Sequence, residues 1–382
     1  MSSVTFREMQ IGFIEDTKLH GGTQLWVFEA ITYFLQEGNK ITIITPKEGW
    51  LSEECKKNEV PVILITYNYD EIVSNNTEYE DIWVNALRTC DVVICTVHPP
   101  RGNFHCSIFA AKCIKKAKLK TILVTKAGTV VPTYRREFYF PDESIPSFII
   151  TIADFTRNYL IKRYNIPEEK CTRIYQGVDV DRFTPNSTRR RKSLNEYPLI
   201  SFSPILGCVG SLERRKGHLI LLKVLRILKR FLPRVHLLIV GDGPDEQILK
   251  DIVAKMSLNN HVTFISYTRE PELIYERIDI LIFPSLYKEG LPNVLLESLA
   301  MKTPVIASNI GGVSEVVRNE FNGYLVEPDQ TNQLVNAIDK IWSNQNRYRW
   351  ISNNARGVIL RNFDRKVQFQ KFIKFLKVIT NK

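Results

Sequence analysis

Short apolar runs alternate with helical patterns along the whole chain. Runs such as MQIGFIED, KITIITP and CDVVICTV in the first half, and ILGCVGS, HLLIVGDGP and DILIFPS in the second, are bounded by turn residues or helical segments. Because these runs are apolar on both faces, each predicts a strand buried in a parallel sheet. Strands that alternate with helices predict an α/β fold with a doubly wound sheet in each half.

The helical patterns and the polar stretches set the expected domain boundaries. The segment TQLWVFEAITYFLQEG places Trp26, Ala30 and Phe34 on one helical stripe, which Gly38 ends. Between the halves, TPNSTRRRKSLNEYP is polar and strongly basic, as is typical of an exposed connection. We therefore expect a first domain over residues 1–185, a linker over 186–198, a second domain over 199–362 and a further helix over 363–382.

Composition and charge exclude several classes of protein. The 382 residues are 44% hydrophobic and 24% charged, which argues against disorder and collagen-like repeats. The seven cysteines form no Cys-x2-Cys pair, so neither a zinc ribbon nor a disulfide scaffold is indicated. No signal peptide and no apolar run of about 18 residues is present, which predicts a cytoplasmic protein.

The net charge of +11 is concentrated in a basic stretch, residues 101–136, which contains no Asp or Glu. Within it, FHCSIFAAKCIKKAKLK has a helical pattern whose lysines gather toward the C-terminal end. Anionic lipid at the inner face of the membrane, an anionic substrate or plain solvent would each suit such a surface. Nucleic acid is not expected as a partner, because aromatic residues are not interleaved with the lysines.

The segment KEGLPNVLLESLAMKTP carries the clearest candidate chemistry. Pro292 suits the first position of a helix, where its missing N–H would have no partner in any case. The free amides of Leu291, Asn293 and Val294 would then point out of the helix start, as a seat for an anionic or hydroxyl-rich ligand. Glu289 precedes this seat in the loop.

Glu297 lies four residues after Asn293 and therefore on the same helical face. Its neighbours along the helix are apolar, so a carboxylate there is costly unless another group bonds it. The vicinal hydroxyls of a sugar could do so. The alternative is that Asn293 and Glu297 form a thin solvated stripe.

This segment resembles the signature of the retaining family 4 glycosyltransferases (glycosyl transferases group 1), in which two glutamates eight positions apart bracket a Gly-rich turn and a helix start. Glu289 and Glu297 occupy these two positions. Further similar segments follow the family order: GGTQLWVFEAITYFLQEG, IYQGVDVDRFTP, CVGSLERRKGH, LLIVGDGP and, after the signature, TPVIASNIGG. The resemblance extends over most of the chain.

The resemblance implies a GT-B fold, with two Rossmann-like domains, a cleft between them and a last helix that crosses back to the first domain. It implies a retaining transfer of a sugar from a nucleotide-diphosphate sugar to a glycan or lipid-linked acceptor, as in polysaccharide biosynthesis. The nucleotide sugar would be a substrate, and no cofactor is expected. No Asp-x-Asp pair stands in a plausible loop, so no metal site is expected either.

The resemblance also implies roles for individual residues. Glu289 and Lys216 would be catalytic, with Glu289 facing the donor sugar and Lys216 neutralising the leaving diphosphate. Glu297 would hold the ribose hydroxyls. The other implied donor-binding residues are Gly22, Ser211, Arg215, Ser266, Tyr267, Gly290, Leu291, Asn293 and Val294.

Two departures from the family pattern leave a second hypothesis open. Ser211 stands where the family commonly has arginine, so Arg214 or Arg215 would have to replace that charge. Ala127 lies in a loop where the family often has histidine; His98, one strand earlier, and Lys126 are therefore the candidate acceptor-binding residues. The second hypothesis is a catalytically degenerate GT-B subunit that binds a glycan or a protein partner.

Overall fold

The chain divides into two compact units, which are described separately. In this computed structural model, one unit comprises Met1–Tyr175 with Val367–Lys382, and the other comprises Gln176–Lys366. The structure describes residues 8–381 apart from 20, 75–76, 99–103 and 132. Arg101, the first residue of the predicted basic stretch, lies outside the described residues.

The first unit contains a sheet of seven parallel strands in the order β3-β2-β1-β4-β5-β6-β7. The strands are β1 Gln10–Ile14, β2 Lys40–Pro46, β3 Ile63–Tyr67, β4 Val92–Thr96, β5 Ile122–Ala127, β6 Ser147–Thr151 and β7 Cys171–Arg173. The helices are α1 Gly22–Gln36, α2 Trp50–Lys57, α3 Tyr69–Val73, α4 Thr77–Arg88, α5 Cys106–Lys116, α6 Arg136–Tyr139 and α7 Asp154–Tyr164.

Both faces of this sheet are covered, which explains why its strands are apolar at nearly every position. On β1, Ile11 and Phe13 enter one hydrophobic cluster together with Trp26 of α1. Ile14 enters a second cluster with Trp83 of α4. Because successive side chains of a strand point to opposite faces, the two clusters lie on opposite sides of the sheet.

The second unit contains a sheet of six parallel strands in the order β10-β9-β8-β11-β12-β13. The strands are β8 Ile205–Val209, β9 His236–Val240, β10 Val262–Ile265, β11 Ile280–Phe283, β12 Val305–Ser308 and β13 Gly323–Val326. The helices are α8 Ser187–Glu196, α9 His218–Leu228, α10 Glu246–Lys255, α11 Pro271–Arg277, α12 Asn293–Ala300, α13 Val313–Val316, α14 Thr331–Trp342 and α15 Gln345–Asn362.

The segment predicted as a linker, residues 186–198, contains α8, which is part of the second unit. Asn186 caps its start, since the Asn186 side chain accepts a hydrogen bond from the Arg189 amide. The buried Ser193 hydroxyl donates to the Leu273 carbonyl of α11 at 2.7 Å. Packing against α11 thus orders a segment whose sequence is polar.

The last helix, α16 Arg365–Thr380, belongs from Val367 onward to the first unit. Its buried side chains include Phe369 and Phe372, which join the same hydrophobic cluster as Trp26 of α1. Both rings contact the Trp26 ring edge-on at 5.7 Å between centroids. Aromatic contacts of this geometry add to the stabilisation that burial alone provides.

Each sheet has one point where the strand order reverses, between β1 and β4 in the first unit and between β8 and β11 in the second. In open parallel sheets, ligands bind outside the carboxyl ends of the strands at this reversal. The predicted α/β fold with two doubly wound sheets is therefore confirmed, and it directs attention to the residues that follow these four strands.

The basic helix α5 is more nearly neutral than its sequence indicates. Lys112 and Lys116 both form ion pairs with Glu80 of α4, at 2.6 Å for Lys116. Lys115 pairs with Asp142 at 2.8 Å. Helices long and apolar enough to cross a bilayer do not occur in the described part of the chain. Contact with anionic lipid stays a prediction.

Gly217, at the start of α9, should be essential for the stability of the second unit. Its φ is +74°, and a Cβ atom there would lie 2.0 Å from the Pro284 carbonyl oxygen. We expect Gly217→Ala to lower the free energy of unfolding by at least about 2 kcal/mol, because both the φ angle and the clash oppose alanine. Urea unfolding followed by circular dichroism measures this change.

Gly357→Ala is the matched control. Gly357 lies inside α15 in the same unit, and a Cβ atom there would meet only Arg361 at ordinary contact distances. Alanine should keep or raise the stability, by up to about 1 kcal/mol, because it favours the helix over glycine. Equal stability losses for the two variants would contradict the role given to Gly217.

Candidate functional site

The loop after β8 places two cationic side chains at the strand-order reversal of the second sheet. A short 3-10 turn, Arg214–Lys216, follows β8 and precedes α9. The side chains of Arg215 and Lys216 are 27% and 15% exposed, whereas Arg214 is an exposed residue. Of the two arginines proposed to replace the missing charge at Ser211, only Arg215 is therefore held in the site.

Lys216 and Arg215 converge on a single oxygen of Glu289, which follows the neighbouring strand β11. Lys216 Nζ donates to Glu289 Oε1 at 2.7 Å, and Arg215 Nη1 donates to the same oxygen at 3.0 Å. Arg215 Nε also donates to Glu213 at 2.8 Å. The Glu289 side chain is only 8% exposed, so this contact is weakly screened by solvent.

The two oxygens of the Glu289 carboxylate differ in their hydrogen bonds. No hydrogen-bond partner of Oε2 is found among the described residues, although the carboxylate is nearly buried. One oxygen is thus fixed by two cations, while the other is available to a ligand.

Backbone contacts fix the loop that carries Glu289. The Leu286 amide donates to the Arg215 carbonyl at 2.7 Å, and the Gly312 amide donates to the Gly290 carbonyl at 2.8 Å. Gly311 has a φ of +57°, and a Cβ atom there would lie 2.1 Å from the Glu289 carbonyl oxygen. The Gly311–Gly312 turn can pack against this loop only because it has no side chains.

The start of α12 differs slightly from the prediction. Pro292, expected as the first helical residue, precedes the helix as its N-cap with φ −67° and ψ 128°. The extended ψ keeps Pro292 outside the helix, so Asn293 is the first helical residue. Among the described residues, no acceptor is found for the amides of Gly290, Leu291, Asn293 and Val294. These amides are therefore available to a ligand, as expected for a helix start.

The side chain of Asn293 is held by Gln176, whose Nε2 donates to Asn293 Oδ1 at 2.7 Å. Gln176 is itself 8% exposed. The contact orients the Asn293 amide group, because its oxygen is occupied and its nitrogen is left as a donor.

Glu297 has one bonded and one available oxygen, like Glu289. The hydroxyl of the buried Tyr275 donates to Glu297 Oε2 at 2.8 Å, and Oε1 has no partner among the described residues. Burial raises the pKa of Glu297 above its usual value, although the Tyr275 hydroxyl and the charges of Arg365 and Arg182 act in the opposite direction. The solvated stripe considered for Glu297 does not describe this partly buried carboxylate.

The loops after β9 and β10 complete this edge of the second sheet. Asp242, after β9, accepts the Tyr267 amide at 3.2 Å, which fixes the loop after β10. Ser266 is exposed, and Tyr267 is 55% exposed. Ser211 hydrogen-bonds Glu213, whose pKa is lowered by this bond and by Arg215 despite an opposing effect of burial.

A second polar cluster lies at the strand-order reversal of the first unit, where Glu15 follows β1 and His98 follows β4. His98 Nε2 lies 2.6 Å from Glu15 Oε1. Gln24 donates to the same oxygen at 3.2 Å, and the Thr96 hydroxyl donates to Glu15 Oε2 at 2.7 Å. Both oxygens of Glu15 are therefore occupied, and its side chain is fully buried.

The protonation states of this pair follow from their contact. Burial alone would raise the pKa of Glu15, but the charge and hydrogen bond of His98 lower it below its usual value. Burial alone would lower the pKa of His98, but Glu15 raises it to about 9. At neutral pH the pair is an ion pair. Ligand atoms of Glu15, Asp16 and His98 lie within 4.8 Å of one another, a spacing that a metal ion could also use.

The remaining predicted residues of the first unit lie near this cluster or at the start of α1. Lys126, near the end of β5, is 3% exposed, with Nζ 4.0 Å from the centroid of the Trp26 ring. Gly22 is the first residue of α1 and is exposed. The structure thus groups Lys216, Arg215 and Glu289 in one unit, and His98 and Lys126 at one edge of the other.

Sequence reasoning missed four residues that hold predicted site residues in place: Glu15, Trp26 as the partner of Lys126, Gln176 and Tyr275. Of these four, only Gln176 could have been noticed in the sequence, because it immediately precedes Gly177 in the family-like segment IYQGVDVDRFTP. The other three contact their partners through packing between distant segments, which no local pattern shows.

Comparisons with known proteins bear on this geometry. Residues 190–358 match the family model of the glycosyl transferases group 1. A GDP-mannose-dependent alpha-(1-6)-phosphatidylinositol monomannoside mannosyltransferase of Mycolicibacterium smegmatis is 28% identical over 204 residues, or 51% of this chain and 53% of that protein. A UDP-Gal:alpha-D-GlcNAc-diphosphoundecaprenol alpha-1,3-galactosyltransferase of Escherichia coli is 26% identical over 219 residues, or 56% of each chain. The chain spans about half the length of the curated relatives it matches.

Solved structures match over nearly the whole chain. A glycosyltransferase from Rickettsia africae superposes with a TM-score of 0.83 at 24% identity, covering 98% of this chain and 99% of that one. HepE of Anabaena in complex with UDP superposes with a TM-score of 0.84 at 18% identity, covering 97% and 100%. The predicted GT-B fold and the predicted resemblance to glycosyltransferases are confirmed.

Replacing Glu15 should change the pKa of His98. In Glu15→Gln, the buried imidazole loses the carboxylate that favours its charged form, so its pKa should fall from about 9 to its ordinary value of about 6.5 or lower. Titration of the histidine ring signals by NMR measures this shift. His236 of the second unit, where burial lowers the pKa to about 4, should not change. A His98 pKa that stays near 9 would contradict the ion pair.

Proposed function

We propose that the chain is a glycosyltransferase of the EC 2.4 class that uses a nucleotide-diphosphate sugar as donor. We propose further that it retains the configuration of the transferred sugar, needs no divalent metal and acts on a glycan or lipid-linked acceptor. The observation that carries this proposal is the contact of Lys216 and Arg215 with one oxygen of Glu289, beside the unpaired amides at the start of α12.

The charges at this edge suit a diphosphate. The two cations are balanced by two carboxylates, Glu289 and Glu213, and the amides of Gly290, Leu291, Asn293 and Val294 add partial positive charge. A diphosphate that leaves a sugar needs such neutralisation, because it carries away the electron pair of the broken bond. Lys216 and Arg215 are therefore assigned to the diphosphate, which supports transfer without a metal.

The two glutamates are assigned different ligands. Each has one oxygen bonded by protein groups and one oxygen without a partner among the described residues. Glu289, beside the cations that would hold the diphosphate, is assigned to the sugar whose bond to that diphosphate breaks. Glu297, in the interior of α12, is assigned to the ribose hydroxyls, whose O–H groups can donate to its open oxygen.

Arg215 favours an active enzyme over the degenerate subunit considered above. Ser211 lacks the charge that the family commonly has at that position, but the guanidinium group of Arg215 reaches Glu289 from four residues further along. The relatives named above use GDP-mannose or UDP-galactose, and HepE binds UDP. These names support a nucleotide-diphosphate sugar as donor.

The acceptor is assigned to the first unit, through His98 and Lys126. The relatives named above act on lipid-linked acceptors, namely a phosphatidylinositol mannoside and a diphosphoundecaprenol-linked sugar. A similar acceptor would be met at the inner face of a membrane, which is also where the exposed lysines of the basic stretch would act. Within the basic stretch, Lys118 and Lys120 are the exposed lysines that form no ion pair with a described residue.

Donor hydrolysis tests the proposal and the role of Lys216 together. Wild type should release nucleoside diphosphate from at least one sugar of a UDP-, GDP- and ADP-sugar panel in the presence of EDTA. Lys216→Ala should weaken nucleoside diphosphate binding by roughly 2–3 kcal/mol, measured by calorimetry, because it removes a charge-assisted contact. Lys223→Ala, on the exposed face of α9, is the control and should bind normally.

Two outcomes of this test would oppose the proposal. Unchanged diphosphate affinity in Lys216→Ala would place the phosphates elsewhere. Activity that EDTA abolishes and that magnesium or manganese restores would oppose the metal-independent mechanism.

Steady-state kinetics should distinguish the role of Glu289 from that of Glu297. Glu289→Gln should reduce kcat by roughly 10²–10³-fold, because charge develops on the sugar only as its bond breaks. Its diphosphate affinity should be kept or raised, since Lys216 and Arg215 lose the carboxylate that competes for them. Glu297→Gln should mainly raise the donor KM, by about tenfold, because the ribose changes little during the reaction.

The kinetic comparison has a structural control. Glu246→Gln removes a carboxylate on α10 whose ion-pair partner is the exposed Lys250, and it should leave both constants unchanged. Glu297→Gln keeps an oxygen that can accept from Tyr275, so the fold should persist. Normal turnover by Glu289→Gln, with the loss of kcat in Glu297→Gln instead, would reverse the two assignments.

A further inference from the structure

Lys126 is a buried lysine whose ammonium group has no ion-pair partner among the described residues. Its side chain extends from β5 in the interior of the first unit, where the residue is 3% exposed. The ammonium group lies 4.0 Å from the centroid of the Trp26 ring. Among the described residues, no carboxylate lies within ion-pair distance of Nζ and no hydrogen-bond acceptor is found for it. Buried charges are normally paired.

The nearby carboxylate of Glu15 is already occupied. Its Oε1 contacts His98 and Gln24, and its Oε2 accepts from Thr96. Glu15 attracts Lys126 only at longer range, where it opposes the effect of burial on the lysine. Glu15 and His98 therefore satisfy each other, and neither oxygen of Glu15 is left to bond Lys126.

The strand order of the first sheet explains why Glu15, His98 and Lys126 are neighbours. β1, β4 and β5 are adjacent parallel strands, so Glu15, His98 and Lys126 lie at or just beyond their carboxyl ends. This edge of an open parallel sheet is where ligands bind. Lys126 therefore lies at a position that a ligand can reach, although its stem is buried.

We propose that Lys126 is the anion-binding group of the first unit, and that it pairs with a carboxylate or phosphate group on the acceptor saccharide. A uronic acid would supply a carboxylate, and a sugar or glycerol phosphate would supply a phosphate. The role of this ligand as acceptor rests on the proposed function, whereas the binding of an anion does not.

Charge distinguishes an anion from a neutral hydroxyl as the ligand. A hydroxyl would supply one hydrogen bond but no negative charge, so it would not favour the protonated form of a lysine whose burial disfavours that form. The face of Trp26 favours the protonated form only in part. An oxyanion supplies both the charge and up to three acceptor positions for the ammonium group.

The titration of Lys126 gives this proposal a second readout. Burial lowers its pKa to about 7, against the attraction of Glu15. The ionisable groups at the ends of β4 and β1 are His98 and Glu15, with Asp16 beside them. His98 and Glu15 keep their charge at neutral pH, because the pKa of His98 is raised to about 9 and that of Glu15 is lowered. A bound anion favours the protonated ammonium, so binding at pH 7.5 should draw a proton from the buffer.

Calorimetry with defined probes tests the proposal. Methyl glucuronide, glycerol 1-phosphate and methyl glucoside are titrated into the full-length protein at pH 7.5, in two buffers with different ionisation enthalpies. We expect at least one anionic probe to bind tenfold or more tighter than methyl glucoside, with an uptake of about half to three quarters of a proton. The stronger of the two anionic probes identifies the source of the oxyanion.

Two variants make the result specific. Lys126→Met keeps the length of the side chain and should lose both the preference for the anion and the proton uptake. Lys57→Met, which replaces an exposed lysine on α2 of the same unit, should keep both. Affinity for both anionic probes that is no higher than for methyl glucoside, or proton uptake that persists in Lys126→Met, would overturn the proposal.

A direct titration covers the case in which Lys126→Met does not fold. The 13Cε signals of the lysines in wild type should include one that titrates near pH 7 and moves to higher pH with saturating anionic probe. A lysine that does not respond to any anion would also overturn the proposal. Nucleoside diphosphate binding by wild type is measured in parallel: if it is absent, the proposed function fails, and if it is present without anion binding, only this inference fails.

Discussion

One carboxylate oxygen, Glu289 Oε1, accepts hydrogen bonds from both Lys216 and Arg215, and the arrangement of the second unit's candidate site depends on this shared contact. Two adjacent cations would otherwise repel each other in a poorly solvated position. The carboxylate offsets that repulsion and draws the loop after β8 toward the loop after β11. Because these strands are neighbours at the strand-order reversal, a short contact is enough to join them.

Backbone packing fixes the loops that bring Lys216 and Arg215 to Glu289. Gly217 allows the turn that carries Lys216 to lie against the Pro284 carbonyl, and Gly311 allows the next turn to lie against the Glu289 carbonyl. The Leu286 amide bonds the Arg215 carbonyl directly. The loops that carry the charged side chains therefore contact each other through main-chain atoms. These contacts restrict the positions that Lys216, Arg215 and Glu289 can adopt.

The sequence predicts the fold well, because buried parallel strands are continuous apolar runs and α1 has a regular helical stripe. It also singles out Glu289, Glu297 and Lys216, through local motifs. It could not predict which groups would bond them. Gln176 reaches Asn293 across 117 positions, and the lysines of α5 meet Glu80 across 32 and 36 positions.

These contacts depend on how distant segments pack against each other, and the periodicity of hydrophobic residues along the sequence does not show that packing. Arg214 and Arg215 illustrate the same point on a smaller scale. They are equivalent in the sequence, yet the 3-10 turn leaves the first exposed and directs the second to Glu289. The charge that Ser211 lacks could therefore be located only from the structure.

The three partly or fully buried glutamates at the sheet edges show how a structural carboxylate differs from one that is available to a ligand. Glu15 has both oxygens occupied, so its ion pair with His98 is complete without a ligand. Glu289 and Glu297 each have one oxygen fixed by the protein and one without a partner among the described residues. A fixed oxygen sets the orientation of the carboxylate before a ligand arrives, so binding costs little side-chain entropy. The open oxygen can accept a hydrogen bond from a donor that enters with the ligand. Burial alone therefore does not separate these three carboxylates, whereas the number of oxygens that the protein occupies does: both in Glu15, and one each in Glu289 and Glu297, the two glutamates that bracket the sequence motif.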